Sequence, residues 1–293
     1  MNIYNGILML AIVIVAGVLF FALHRHLRRQ RRSLIQSNIE QLALLRIVIA
    51  GLQRHRGLSN LVLSGDNSMS EDLANARQLL DEKLNGVQHL DITYIHAWEN
   101  LIDHWSRLRQ GRNKDQSYNL IQHNLLIHHC IFLMEDVANE IDLTEGRAEL
   151  GYLPCIWRDV IHAAEWAGQA RALGTSIASA GSSSVDQRVR MHFLYQKIEY
   201  LSGKAFTTLQ NHVVSYPEVN VFRLQQSEQV IAGFLDCMKH DLLSEATPYI
   251  DAKTYFQKAS ESIEELLTLV DVALSQLKEN QEKCGRRLRH VIA

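Results

Sequence analysis

Hydrophobic residues recur every three or four positions along most of this chain, a spacing typical of helices that bury one face. Leu42, Leu45, Ile49 and Leu52 show it most clearly, since they would share one side of a helix. No segment shows the sustained alternation that marks a half-buried strand. The pattern therefore predicts an all-α fold.

Turn and capping residues divide this pattern into separate helices. We predict helices over residues 33–63, 70–90, 94–110, 116–143 and 155–180, and three more that begin near residues 184, 215 and 251. Ser70 and the pairs Ser184–Gln187 and Ser215–Glu218 resemble N-terminal caps. Eight helices with short links fit two four-helix bundles, with halves at about 33–148 and 149–293.

The first 32 residues differ from the rest of the chain. Residues 7–23 contain no polar side chain, and the run from 3–23 approaches the ~20 residues that span a bilayer. Five arginines follow at once and none precedes the run: Arg25, Arg28, Arg29, Arg31 and Arg32. We therefore expect a single-pass inner-membrane anchor, with the N-terminus outside and residues 33–293 in the cytoplasm. A cleaved signal peptide is the alternative, but its basic residues come first.

Composition narrows the function classes. Outside the five arginines the chain has more acidic than basic residues, which does not favour a nucleic-acid partner. Phosphate-binding, dinucleotide-binding and catalytic-triad patterns are missing, so we predict no enzymatic activity, no catalytic residue and no cofactor. Several histidines lie between residues 96 and 130, but their spacing does not match a metal site, so we predict no metal.

The cysteines lie far apart, without the spacing of metal ligands. They are Cys130, Cys155, Cys237 and Cys284. We expect free thiols in a reduced compartment, and disulfide pairing in an oxidising compartment is the alternative.

The segment LQRHRGLSNLVLSG, residues 52–65, places an arginine in the middle of a helix rich in leucine and valine. Helical spacing puts Gln53, Ser59 and Asn60 on the face of Arg56. An arginine keeps its charge when it is buried, so this face needs an anionic partner. The partner is either a carboxylate of a neighbouring helix or a bound anion.

A second arginine lies in a similar setting further along the chain. Aligning Arg171 with Arg56 sets RALGTSIAS against RGLSNLVLS, a weak internal repeat for which chance similarity is the alternative. Small residues share the face of Arg171: Ala164, Ala167, Gly168, Gly174, Thr175 and Ala178. Such a face either lets a neighbouring helix approach closely or leaves space for a small anion.

Three segments resemble signatures of the nitrate- and nitrite-sensing (NIT) family. Residues 52–65 are similar to its first signature, residues 165–181 to its second, and residues 255–274 to its closing helix. Their order agrees, so the resemblance spans about residues 35–280. It implies a helical sensor of two four-helix bundles in which interior arginines bind nitrate or nitrite.

Carried over to this chain, the resemblance assigns the ligand to Arg56 and Arg171. We name four possible supporting residues: Gln53, Ser59, Gln169 and Thr175.

Two positions depart from the family pattern. His55 stands where the family usually has glutamate, and Ser262 precedes Ile263 where many members carry an arginine. If that arginine contacts the ligand in the family, this chain has lost one contact.

The sequence therefore predicts a membrane-anchored sensor of nitrate or nitrite. The resemblance ends near residue 280, and the remainder is too short for an output domain. We expect a homodimer in which helix displacement signals to a separate output protein. One alternative is a degenerate NIT-like helical scaffold that binds a protein and no small ligand. Another is a chemoreceptor-type sensor of a different ligand.

Overall fold

The computed structural model describes residues 3–86, 92–112, 115–145, 150–215, 221–244 and 247–290. Regular structure in these ranges is helical throughout, which confirms the all-α prediction. The α-helices of eight residues or more are α1 Ile3–Leu63, α2 Ser70–Asn85, α3 Ile95–Leu108, α4 Gln116–Glu145, α5 Ile161–Ala180, α6 Val185–Ser215, α7 Val221–Cys237 and α8 Ala252–His290.

Helix α1 joins the N-terminal apolar segment and the first predicted bundle helix into one element. It has 61 residues and is therefore about 90 Å long at the usual rise per residue. Its side chains are exposed from Met9 to Arg31 and become buried from Ile35 onward. Within the described residues, α1 alone is long and apolar enough to cross a membrane.

The C-terminal half of α1 forms a first bundle with α2, α3 and α4. It packs against α2 and α4, and α3 packs against α4. Leu42, Leu45, Ile49 and Leu52, the residues that defined the helical pattern, are all at most 1% exposed. The predicted period of burial is therefore confirmed.

Helices α5 to α8 form a second bundle around α5, which packs against α6 and α8. Without a break, a short helix (Leu153–Cys155) and a π-helical segment (Ile156–Val160) precede α5. A second π-helical segment, Met238–Leu243, follows α7. The bundles meet where α5 contacts α1 and α4, and where α8 contacts α1. The domain boundaries near residues 32 and 148 stay predictions.

The predicted N-terminal caps have different outcomes. Ser184 and Gln187 form the expected reciprocal pair, in which the Ser184 backbone N–H donates to the Gln187 side chain (2.9 Å) and the Gln187 N–H to the Ser184 hydroxyl (3.1 Å). The cap at Ser70 is wrong, because Ser70 lies inside α2 and Met69 precedes it without a side-chain bond. The pair that ends at Glu218 lies partly outside the described residues.

Three of the four cysteines are buried free thiols: Cys130, Cys155 and Cys237. Burial raises the pKa of each to about 12, so all three are protonated at neutral pH. The side chain of Cys284 lies outside the described residues.

Close contact between α5 and α8 depends on Gly174. The fully buried Tyr255 of α8 donates a hydrogen bond to the backbone oxygen of Ala170 (3.0 Å), and its ring lies directly over Gly174. A methyl group at this position would overlap the ring. One of the small residues of α5 therefore accommodates a protein side chain rather than an anion.

We expect Gly174→Ala to lower the free energy of unfolding by about 1–3 kcal/mol, because the enclosed Tyr255 ring has no room to move. The matched control is Gly203→Ala in the interior of α6, where an added methyl group meets nothing within 4 Å. That change should stabilise the protein by about 0.5–1 kcal/mol. Urea denaturation in detergent measures both, and equal effects would contradict the prediction.

Candidate functional site

Arg56 lies at the junction of the two bundles and is 1% exposed. Its Nη1 donates to Oε1 of Glu165 on α5 at 2.5 Å, and its Nη2 donates to Oε2 at 3.3 Å. Nη1 also donates to Oδ1 of Asn124 on α4 at 2.6 Å. The anionic partner that the sequence required is thus, in this structure, a carboxylate of a neighbouring helix.

Glu165 is fully buried and receives hydrogen bonds from amides as well. Nε2 of Gln53 donates to Oε2, and Nε2 of Gln169 donates to Oε1, both at 3.0 Å. The carboxylate therefore joins α5 to α1 through the guanidinium of Arg56 and the amide of Gln53, and Gln169 on its own helix adds a further donor. Charge-assisted hydrogen bonds of this kind compensate a buried carboxylate for the loss of contact with water.

Gly168 creates the space for this arrangement. A methyl group built on it would lie 2.6 Å from Nη2 of Arg56. The guanidinium thus occupies the volume that a side chain at position 168 would need, one turn beyond Glu165. Together with Gly174, this residue explains why this face of α5 carries small side chains.

Arg171 lies on the same helix and is held by neutral groups. Its Nη1 donates to the Ser260 hydroxyl (3.0 Å), its Nη2 to the backbone oxygen of Gln53 (3.4 Å), and its guanidinium lies 5.0 Å from the ring centre of Phe256. Burial, and then the positive charge of Arg56, lower its pKa to about 10. Among the described residues, no carboxylate lies within ion-pair distance of Arg171.

Two histidines form a hydrogen-bonded pair beside this cluster. Nδ1 of His55 lies 2.8 Å from Nε2 of His123, whose Nδ1 lies 2.8 Å from the backbone oxygen of Asn119. A carbonyl oxygen only accepts, so His123 carries its proton on Nδ1 and accepts from His55. Nε2 of His55 is then a buried acceptor, without a partner in the part of the chain that the structure describes.

Both histidines are neutral at physiological pH. Burial is the main reason that the pKa falls to about 2 for His55 and about 3 for His123, and the positive charges of Arg77 and Arg56 lower them further. The cluster at the bundle junction therefore contains two cationic arginines and one carboxylate. It has one positive charge in excess, which a monovalent anion would balance.

A sequence profile described as nitrate and nitrite sensing matches residues 48–278. The chain belongs to the NIT family. The match begins on α1, ends on α8 and includes both arginines. It confirms the resemblance that was inferred from the three signatures.

A solved structure shares the fold. The NasR transcription antiterminator is 17% identical to this chain, with a TM-score of 0.67 over 92% of this chain and 75% of that chain. At this identity the likeness shows the fold alone. No curated protein matches the chain.

The structure brings some of the sequence-predicted site residues together. Gln53 and Gln169 join Arg56 around Glu165, and Arg171 contacts the backbone oxygen of Gln53. Ser59 faces elsewhere, since its hydroxyl donates to the backbone oxygen of Arg56 (3.1 Å) and accepts from Asn119 (3.0 Å).

Two further positions lie apart from the hydrogen bonds of the cluster. The Thr175 hydroxyl is buried and has no partner among the described residues. Ser262 is buried, and its hydroxyl donates to the backbone oxygen of Lys258 on its own helix.

Sequence reasoning missed Glu165 and Asn124, although Glu165 opens the second NIT signature of this chain. Its signal was an acidic side chain in a stretch of small residues, three positions before Gly168 and therefore on the same face as Gly168. The histidine at position 55 does not leave Arg56 without a carboxylate, because the carboxylate that pairs with Arg56 comes from α5. No group of three or more potential metal ligands occurs in the described ranges.

Because both histidines of this pair are buried and neutral, we predict that the free energy of unfolding falls in acid. An unfolded histidine binds a proton near pH 6.5, whereas these folded ones do so only near pH 2 to 3. The unfolded state therefore gains protons first, and the free energy of unfolding should fall by about 1 kcal/mol per pH unit for each histidine below about pH 6.

Urea denaturation between pH 7 and pH 5 measures this slope. The double variant His55→Gln/His123→Gln should show a flatter dependence on pH than the wild type. His96→Gln, at an exposed position, is the control and should keep the wild-type slope. Parallel curves for the double variant and the wild type would show that the pair does not titrate as described.

Proposed function

We propose that this protein is a membrane-anchored sensor that binds nitrate or nitrite at the junction of its two bundles. Arg56 and Arg171 are the ligand-binding residues, and Gln53 and Gln169 support them. The observation that carries this proposal is the uncompensated charge of Arg171 beside the Arg56–Glu165 pair, in a chain of the NIT family.

The chemistry of the cluster suits a planar monovalent anion. A guanidinium offers parallel N–H donors that match two oxygens of nitrate or nitrite, whereas chloride has only one centre to offer. Attraction between charges is weakly screened in a buried site. One bound anion brings the net charge of the cluster to zero, which favours nitrate or nitrite over a dianion such as sulfate.

The position of the cluster gives the ligand a means of moving helices. Arg56 lies on α1, Arg171 lies on α5, and the partners of Arg171 include Ser260 and Phe256 of α8. An anion that binds best to one relative position of these helices stabilises that position. A displacement of 1–2 Å is a common size for such a change.

Helix α1 is the proposed route of the signal, because it runs from Arg56 to the exposed apolar segment without a break. We place that segment in the inner membrane, with the N-terminus outside and the bundles in the cytoplasm. In a homodimer, two parallel copies of α1 would move relative to each other. The signal then passes to a separate output protein.

A scaffold without a small ligand is the second candidate. The observation in its favour is that Glu165 already neutralises Arg56, as an ordinary structural ion pair would. This function does not require Arg171 to bind an anion. The two candidates therefore differ in their response to nitrate.

Arg171→Ala and Arg56→Ala should each abolish the increase in melting temperature that nitrate produces in the wild type. Arg56→Ala should also lower the melting temperature without nitrate, because it leaves Glu165 buried and unpaired at a cost of about 3–5 kcal/mol. The control is Arg54→Ala, an exposed neighbour that pairs with Asp72. Differential scanning fluorimetry in detergent measures all three, and a wild type indifferent to nitrate and nitrite would favour the scaffold.

The proposed topology predicts the activity of a reporter fused after Ala293. A reporter that works only in the periplasm should be silent there, because the five arginines keep the following residues in the cytoplasm. Replacing these arginines with glutamine should allow a periplasmic signal. A strong signal from the wild-type fusion would overturn the topology.

A further inference from the structure

We propose that Glu165 is a tethered competitor of the ligand. Without nitrate its carboxylate occupies the anion position on Arg56, and nitrate or nitrite binds by displacing it. This inference rests on the proposed function and adds how the same site is regulated.

The contacts of Arg56 leave little room for a second anion. Both of its terminal nitrogens donate to Glu165, and Nη1 also donates to Asn124. The two distances to the carboxylate, 2.5 and 3.3 Å, are unequal. The ion pair therefore lacks the two equally short, parallel hydrogen bonds of a symmetric bidentate pair. A ligand that contacts the guanidinium edge-on must take the place of at least one carboxylate oxygen.

Carboxylate and nitrate are interchangeable at this position. Both are planar and monovalent, and both present two oxygens on one edge. The amides of Gln53 and Gln169 that donate to Glu165 are neutral and would serve either anion. Arg171 lies on the same helix, held by neutral groups. A nitrate that takes the place of the carboxylate on Arg56 would therefore lie among the same donors. Glu165 is tethered to α5 and stays within the cluster when it moves, so one bound nitrate still brings the net charge of the cluster to zero.

A chain of side-chain contacts links Glu165 to the protein surface. Gln169, which donates to Glu165, accepts a hydrogen bond from Nη2 of Arg190 on α6 at 2.7 Å. The Arg190 guanidinium lies 5.1 Å from the ring centre of Phe193 and 5.9 Å from that of Trp166. Trp166 is also the next residue after Glu165. A change at the buried carboxylate therefore alters the contacts of a partly exposed tryptophan.

A tethered competitor fits the needs of a sensor. Without it, ligand release would leave Arg56 buried and unpaired, whereas the carboxylate provides a stable ligand-free arrangement. The observed affinity is then the intrinsic affinity multiplied by the fraction of molecules whose site is open. Glu165 thereby sets the nitrate concentration at which the protein responds.

Isothermal titration of the full chain in detergent with sodium nitrate tests this role. Glu165→Gln removes the charge of the competitor. Glu165→Asp keeps the charge but shortens the side chain by one methylene group, so it no longer reaches both terminal nitrogens of Arg56. Each variant should lower the Kd for nitrate roughly tenfold. The matched control is Asp159→Asn, which removes another buried acid, paired with Lys204 (2.9 Å), and should leave the Kd unchanged.

The two variants separate displacement from a simple effect of charge. A lower Kd in Glu165→Gln with an unchanged Kd in Glu165→Asp would show only the effect of the removed charge and would overturn the proposal. Weaker binding in both would show that Glu165 positions Arg56, which also overturns it. If neither the wild type nor any variant releases heat when nitrate is added, the proposed function itself is overturned. If Glu165→Gln does not fold, Glu165→Asp still decides.

Tryptophan fluorescence gives a second measurement that needs no change at Glu165. Nitrate should alter the emission of the wild type, and Trp166→Phe should remove the response. Trp98, Trp105 and Trp157 are at most 2% exposed and remain as an internal reference. An unchanged emission in a wild type that releases heat with nitrate would overturn the displacement of Glu165.

Discussion

The ion pair between Arg56 and Glu165 is the interaction on which the arrangement of the two bundles depends. A charge taken out of water is tolerated only when an opposite charge and hydrogen-bond donors surround it. Here the two members come from different bundles, so neither bundle satisfies its own buried charge. The relative position of α1 and α5 is consequently fixed by electrostatics as well as by apolar packing.

The small residues of α5 follow from the same constraint. Gly168 provides the volume for the Arg56 guanidinium, and Gly174 provides that for the Tyr255 ring. In the sequence this face had two interpretations, an empty space for an anion or a close approach of another helix. The structure shows protein side chains at both glycines. The Arg56 guanidinium, which fills the space over Gly168, is also a group that the proposed ligand would contact.

Most of the fold was predictable, because apolar periodicity along α1 reports burial directly and three short signatures identified the NIT family. The ion pair was less accessible, since Arg56 and Glu165 are 109 residues apart and nothing local links them. A sequence pattern showed that Arg56 needed an anion without showing which one. The His55–His123 pair was hidden for the same reason, as its members lie on different helices. The predicted cap at Ser70 was wrong because α2 begins one residue earlier than predicted, so that Ser70 is its first helical residue.

The length of α1 has a mechanical consequence. About 30 residues of this helix extend beyond the first bundle, which corresponds to a rigid arm of about 45 Å. A tilt of about two degrees at the junction would therefore move the far end by about 1.5 Å, as the length of the arm requires. An unbroken helix also transmits rotation, since it has no flexible joint in which a twist could be lost. A tilt or rotation at the junction that is too small to disturb the packing of the core would thus still displace the distant end of the arm.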